Sequence, residues 1–357
     1  MTIPRTYFIT FLMLFCALQS SAQADKLRNT PDTLSISFIG DVMMHSRQLQ
    51  YNHNQFLQDI AEDLKKSDFC AANLEFSLGG PPYSGYPAFS TPDSFARYLA
   101  EDCGIDVFLT ANNHILDRGS AGLKRTLEVY NRLTDSLGIK HTGAAYDAED
   151  LKQRYPIYLF KRGINVALIN FTYGTNLGAS TLWPKVFYAR EDEVLAAVRE
   201  ARDRGADFVI ALPHWGTEYS LVHDDNQRRW AEMLIDAGVD AIIGAHPHVV
   251  QDYELIKGKP VIYSLGNVVS NMSARNTRIG LMVTLTMVRE QGSKTATMLA
   301  PEFSFTWCCL PGMLSDNYQT IKVKEWASHR SAWLTPSDYD NMIATYDRVK
   351  AASGIKD

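Results

Sequence analysis

A short apolar run rich in β-branched residues, closed by a polar residue and followed by a segment of helical period, recurs along most of this 357-residue chain. That grammar limits the fold more than any other feature. The runs are Leu34–Gly40, Asp68–Leu74, Ile105–Thr110, Val166–Thr172, Phe208–Pro213, Val239–Gly244 and Pro260–Leu265. Near-continuous apolar strands belong to sheets covered on both faces. Between them lie amphipathic segments such as Ser120–Leu137, with Leu123, Leu127, Tyr130 and Leu133 three or four residues apart. Another helix opens at Thr91-Pro92-Asp93, a capping residue followed by proline at the first helical position, and stops at Gly104. The alternation predicts an α/β fold with a largely parallel sheet. From Arg278 onward the character changes. Arg278–Val288 and Thr295–Glu302 read as a strand pair around Gln291-Gly292, and Pro336–Ala352 as a terminal helix.

The first 24 residues read as an address rather than as part of the fold. Arg5 precedes the apolar run Tyr7 to Leu18, which is shorter than the ~20 residues of a spanning helix, and Ala22-Gln23-Ala24 fits a small-residue cleavage site. The expectation is a cleaved signal peptide over residues 1–24 and an exported, periplasmic or envelope-associated protein. A polar lead-in covers 25–33, the main domain 34–305, and a C-terminal extension with the terminal helix 306–357. Export leaves Cys70, Cys103, Cys308 and Cys309 free to form disulfides, in a connectivity that spacing does not define. The net charge of −5 gives none of the overall positive field on which non-specific nucleic-acid binding relies, so no nucleic-acid partner is expected.

The chemistry is concentrated where the apolar runs end. Asp41 follows the first, Glu75 the second, and Asn112-Asn113-His114 the third, with Asp117 three residues on. His214 and the triplet His246-Pro247-His248 follow two later runs. In an open α/β sheet these positions share the carboxyl edge, where ligands bind. A residue before proline is driven to extended backbone, so His246 and His248 are expected to point the same way from an extended segment. Two carboxylates, an asparagine carbonyl and three imidazoles make a mixed nitrogen and oxygen set, suited to Mn, Fe or Zn. The set exceeds what one tetrahedral ion needs and points to two ions sharing a carboxylate. His114 is then left to protonate a leaving group, with Asp117 holding its tautomer. The long Gly79–Pro92 loop is either a substrate contact or a solvated flap. Trp215, Glu218 and Asn267 are candidates for substrate contact, against packing or turn roles, and Trp307 and Trp333 read as packing residues.

Taken together, Gly40-Asp41-Val42-Met43-Met44, Asn73-Leu74-Glu75, Ala111-Asn112-Asn113-His114-x-x-Asp117, Pro213-His214-Trp215-Gly216-x-Glu218 and Gly244-Ala245-His246-Pro247-His248 resemble the CapA/PgsA capsule-synthesis proteins. The segment from Lys257 to Asn267 adds to the match, and the resemblance runs from about Ser35 to Asn271. That family is a branch of the calcineurin-like metallophosphoesterases. The resemblance implies a four-layer αββα sandwich, with Asp41, Glu75, Asn113, His214, His246 and His248 as metal ligands, Glu75 bridging, and His114 paired with Asp117 as the catalytic histidine. Two positions depart from the superfamily pattern: Met43 stands where a histidine is usual, and Glu75 where an aspartate is usual. His45 is either a replacement ligand or a structural residue. The implied function is an exported hydrolase holding one or two divalent ions, acting on or assembling an anionic surface polymer such as poly-γ-glutamate. A membrane-embedded synthesis or export complex is a further implied partner. The alternative is a non-catalytic accessory protein that uses the same metal rim to hold the polymer.

Overall fold

The structure, a computed structural model, describes residues 31–179 and 182–357; the signal segment read from the sequence lies outside them. In chain order the strands are β1 (Asp32–Val42), β2 (Phe69–Leu74), β3 (Val107–Leu109), β4 (Lys140–Thr142), β5 (Ala144–Ala145), β6 (Ile157–Lys161), β7 (Ile164–Thr172), β8 (Lys185–Val186) and β9 (Phe208–His214). They continue as β10 (Ala241–Ile243), β11 (Tyr253–Ile256), β12 (Lys259–Ile262), β13 (Asn267–Val269), β14 (Ile279–Arg289), β15 (Thr297–Met298), β16 (Glu302–Cys309) and β17 (Gln319–Lys322). The helices are α1 (Gln58–Leu64), α2 (Asp93–Glu101), α3 (Gly119–Leu137), α4 (Ala148–Arg154), α5 (Glu191–Asp203), α6 (Asp225–Asp236), α7 (Val323–Trp326) and α8 (Pro336–Ser353).

One sheet runs β17-β16-β14-β1-β2-β3-β4, with β13 beside β1 and β15 beside β14; the other runs β11-β12-β10-β9-β7-β6. Strand alternation makes the layers. Leu34, Ile36 and Phe38 of β1 join Val166, Leu168, Ile210 and Leu212 of the second sheet in the core between the sheets. Ile39 and Val42 of the same strand join the cluster on the outer face, packed under Ile60 of α1, Phe95 of α2 and Tyr130 of α3. The second sheet is covered on its outer face by Val194 and Val198 of α5 and Trp230 and Leu234 of α6. Helix, sheet, sheet, helix is the αββα order that the resemblance implies.

Several local expectations are corrected. Both sheets are mixed rather than largely parallel: β1 to β4 are parallel neighbours, but β14, β16 and β17 join antiparallel. The strand that pairs with β14 lies later than Thr295–Glu302. β15 contributes two residues, and the main partner is β16, with Ile279 opposite Trp307 and Thr284 opposite Glu302. The reason is burial, since Phe305, Trp307 and Cys309 alternate onto the inner core while residues 291–300 stay largely at the surface. Helix α2 starts at Asp93, because Pro92, at ψ 138°, is extended and occupies the cap position itself. Cys70, Cys103, Cys308 and Cys309 are all buried free thiols. The terminal helix α8 sends Met342 and Val349 into the same core as Phe305, Trp307 and Trp333. Arg278 ties it down from β14's threshold, donating to Asp338 Oδ2 at 2.7 Å and lying 4.4 Å over the Trp307 ring.

Candidate metal centre

Each candidate residue reaches the centre from the carboxyl end of a strand in a parallel pairing, and the strands come from both sheets. β1 slips register between Ile39 and Asp41, which turns the Asp41 side chain inward next to Asn73 of β2. Gly40 makes this possible, because a Cβ there would lie 1.9 Å from the Gly266 carbonyl. The Asp41 amide donates to that carbonyl at 2.9 Å. Glu75 follows β2, Asn113 and His114 follow β3, His214 ends β9, and His246 and His248 follow β10. All seven are buried.

The distances describe one cluster. His248 Nδ1 lies 3.4 Å from Asp41 Oδ2, and its Nε2 lies 3.8 Å from Glu75 Oε1. His214 Nε2 stands 3.7 Å from the same Glu75 oxygen and 2.8 Å from Asn113 Oδ1. The His214 and His246 rings are 4.7 Å apart between centroids. Potential ligand atoms fall into three overlapping groups, Asp41–Glu75–His248, Glu75–His214–His246 and Glu218–His246–His248, each within 4.8 Å. Glu75 is common to the first two.

The electrostatics show a centre short of positive charge. Both carboxylate oxygens of Glu75 are buried without a hydrogen-bond partner, as is Nδ1 of His246. An unpaired buried carboxylate is expensive, so burial, then Asp41, pushes the Glu75 carboxyl well above the usual range. Burial works against protonation of His248, but Glu75 and Asp41 outweigh it and raise that imidazole to about 9. His214 is held well below the ordinary imidazole range, and His246 is lowered to about 3, both by burial and then by neighbouring histidines. Neutral imidazoles with available lone pairs beside orphaned carboxylate oxygens are the donor set a divalent ion requires, so the residues present fit such an ion.

His114 stands at the edge of this cluster. Its Nδ1 lies 2.7 Å from Asp117 Oδ2 and its Nε2 3.5 Å from Asn176 Nδ2. Phe89, from the Gly79–Pro92 loop, packs edge-on against the ring at 4.6 Å, and the Phe89 amide donates to Asp117 Oδ2 at 2.8 Å. That loop therefore walls the histidine and holds its partner. It also carries the exposed Tyr86, 6.4 Å from the His114 ring.

The His-Pro-His geometry differs from the expectation. His246 and His248 do converge, but with φ of 102° and 59° rather than from extended chain. Positive φ in non-glycine residues stores strain of roughly 1–3 kcal/mol each and persists where surroundings over-determine the backbone. Here the His246 amide donates to Asp41 Oδ2 at 3.3 Å, and the Tyr219 amide to the Pro247 carbonyl at 2.9 Å. Asn267 is buried behind the centre, its Oδ1 3.0 Å from His248 Nδ1, so it orients that imidazole. Trp215 is buried against Tyr263, donating Nε1 to its carbonyl at 2.9 Å, and faces the helical layer rather than the rim. Glu218 is exposed at the mouth. His45 belongs to none of the three groups: its Nδ1 meets Gln48 and the Asn271 amide, and burial lowers its pKa to about 4.

Sequence reasoning missed several neighbours. Asn73 donates to Asp41 Oδ1 at 2.7 Å and sits 3.3 Å from His214 Nδ1, although its motif was in view. Asn176 and Tyr173 follow β7, whose last residue, Thr172, carries no charge; Tyr173 lies 4.7 Å from the His246 ring. The signal was the rule already applied to the other strands.

A family model described as bacterial capsule synthesis protein PGA_cap matches residues 35–272. The PGA biosynthesis protein CapA of Bacillus subtilis (strain 168) is 30% identical over 291 residues, spanning 77% of this chain and 74% of that protein. The capsule biosynthesis protein CapA of Bacillus anthracis is 28% identical over 267 residues, spanning 71% of this chain and 63% of that protein. Among solved structures, the calcineurin-like phosphoesterase YfkN from Bacillus subtilis aligns with a TM-score of 0.47 at 13% identity, over 91% of this chain and 98% of that one.

Proposed function

Because this chain belongs to the PGA_cap family of bacterial capsule synthesis proteins, we propose that it is an exported metal-dependent hydrolase acting on poly-γ-glutamate or another anionic surface polymer during its assembly. The observation that carries the reading is Glu75, whose two buried oxygens lack any hydrogen-bond donor and lie among Asp41, His214 and His248. Asp41, Glu75 and His248 would hold one ion, and Glu75, His214, His246 and Asn113 a second, with Mn, Fe or Zn suited to such donors. An ion so held supplies Lewis-acid polarisation to a phosphoryl or acyl oxygen. The chain's own residues do the rest. Asp117 keeps a proton on His114 Nδ1, so Nε2 is the atom that exchanges a proton with a leaving group. Phe89 closes one side of that ring against water. Asn73 and Asn267 hold Asp41 and His248 in orientation. The N-terminal leader supports export, with a membrane-embedded synthesis or export complex as partner; among the described residues no helix is long and apolar enough to cross a membrane.

The test is metal content by elemental analysis after Mn, Fe or Zn reloading, followed by turnover of phosphoester and γ-glutamyl amide substrates. Two ions per chain with His114-dependent turnover supports the hydrolase. A second reading, a non-catalytic accessory protein that holds the polymer, draws on Met43, a buried thioether where the superfamily supplies an imidazole. Polymer binding without turnover in fully loaded protein selects it.

A further inference from the structure

The loop after β9 is fastened to the loop after β10 by two backbone hydrogen bonds, Trp215 N to the Ala245 carbonyl at 3.0 Å and Tyr219 N to the Pro247 carbonyl at 2.9 Å. Gly216 turns the chain between them at φ 92°, where a Cβ would lie 2.5 Å from the Gln227 side chain. Glu218 is therefore carried beside the histidine pair by a constrained backbone. Its carboxylate, with one nitrogen each of His246 and His248, forms a group within 4.8 Å that is open to solvent, whereas the two groups built on Glu75 are wholly buried. A second, independent sign is His246, 3% exposed, whose Nδ1 has no hydrogen-bond partner. Among the described residues the neighbour that engages Glu218 is the Tyr219 hydroxyl, by a side-chain hydrogen bond.

Met43 contributes no ligand, and His45 is turned to Gln48 and the Asn271 amide, its ring edge-on to Phe89 at 5.3 Å. Resting on the metal reading above, we propose that Glu218 is itself a ligand of the metal centre, the carboxylate that meets His246 and His248 from the solvent side.

The test is calorimetric titration of EDTA-stripped full-length protein with Mn2+, with electron paramagnetic resonance of the bound ion. Glu218→Gln keeps the shape of this exposed side chain and removes its charge, so urea midpoints in EDTA should match those of the wild type. The expected result is at least about tenfold weaker Mn2+ binding for one ion and a changed resonance, with Glu218→Asp intermediate and His45→Ala unchanged. Unaltered Mn2+ affinity in Glu218→Gln overturns the proposal and leaves the carboxylate facing substrate. A wild-type chain that binds no Mn2+ removes the metal reading itself, and this proposal with it.

Discussion

Replacing Glu75 with methionine should make the metal-free protein more stable and the metal-loaded protein less so. Both oxygens of this carboxylate are buried without a donor from the protein. Such a group carries a desolvation penalty of roughly 1–3 kcal/mol that an apolar side chain of similar length does not. His248 is not orphaned by the change, because Asp41 Oδ2 at 3.4 Å and Asn267 Oδ1 at 3.0 Å remain beside it. In EDTA, Glu75→Met should therefore gain about 1–3 kcal/mol. With free Mn2+ at a thousand times the dissociation constant, the wild type gains about 4.1 kcal/mol by binding, and the variant should gain little of it. The order of stability then inverts. Urea unfolding in EDTA and in Mn2+, compared at constant slope, reads both values. A variant that is weaker in EDTA, or that Mn2+ stabilises as much as the wild type, would refute the claim that Glu75 is kept at a cost to the fold for the sake of an ion.

His114→Ala should lower turnover by roughly 10²–10⁴-fold while leaving Mn2+ affinity unchanged in calorimetry, since the proposed role of the ring is to exchange protons rather than to bind the ion. Asn267→Leu should weaken Mn2+ binding by about 10–100-fold, because it frees the His248 imidazole without removing it. Arg278→Met should destabilise the fold by about 3–5 kcal/mol in urea, as the buried Asp338 loses its partner, and Asp338→Asn in the same chain should recover part of that loss. Asp68 gives a pH test. Burial alone would raise its carboxyl, but Lys161, the Ser35 amide and Arg162 outweigh that and hold it at about 2. A depressed folded pKa contributes stability above the unfolded carboxylate range and loses it as pH falls toward 2. Urea midpoints of wild type and Asp68→Asn should therefore differ at pH 7 and converge by about pH 2.

Local pattern determined the layers and which polar residues stand at the strand ends. The apolar runs at Leu34–Gly40, Val166–Thr172 and Phe208–Pro213 became strands because each carries a buried face. The polar residues at their ends reached one rim because parallel strands deliver their carboxyl ends to the same edge. Periodicity and strand ends are local properties, and a chain displays them without folding. What the tertiary structure decided was non-local. The partner of β14 was chosen by which segment had an alternating face to bury, so β16 displaced the nearer residues 295–302. His246 took positive φ against the preference of a residue before proline, and His248 took it as well, because Asp41 of β1 and the Tyr219 amide of the loop after β9 hold that backbone. Asn267 became the support of His248, and Glu218 came beside the histidine pair, only when separate loops were fastened together. Sequence distance carries no information about such contacts, because their energy is gained only after the sheets have closed around them.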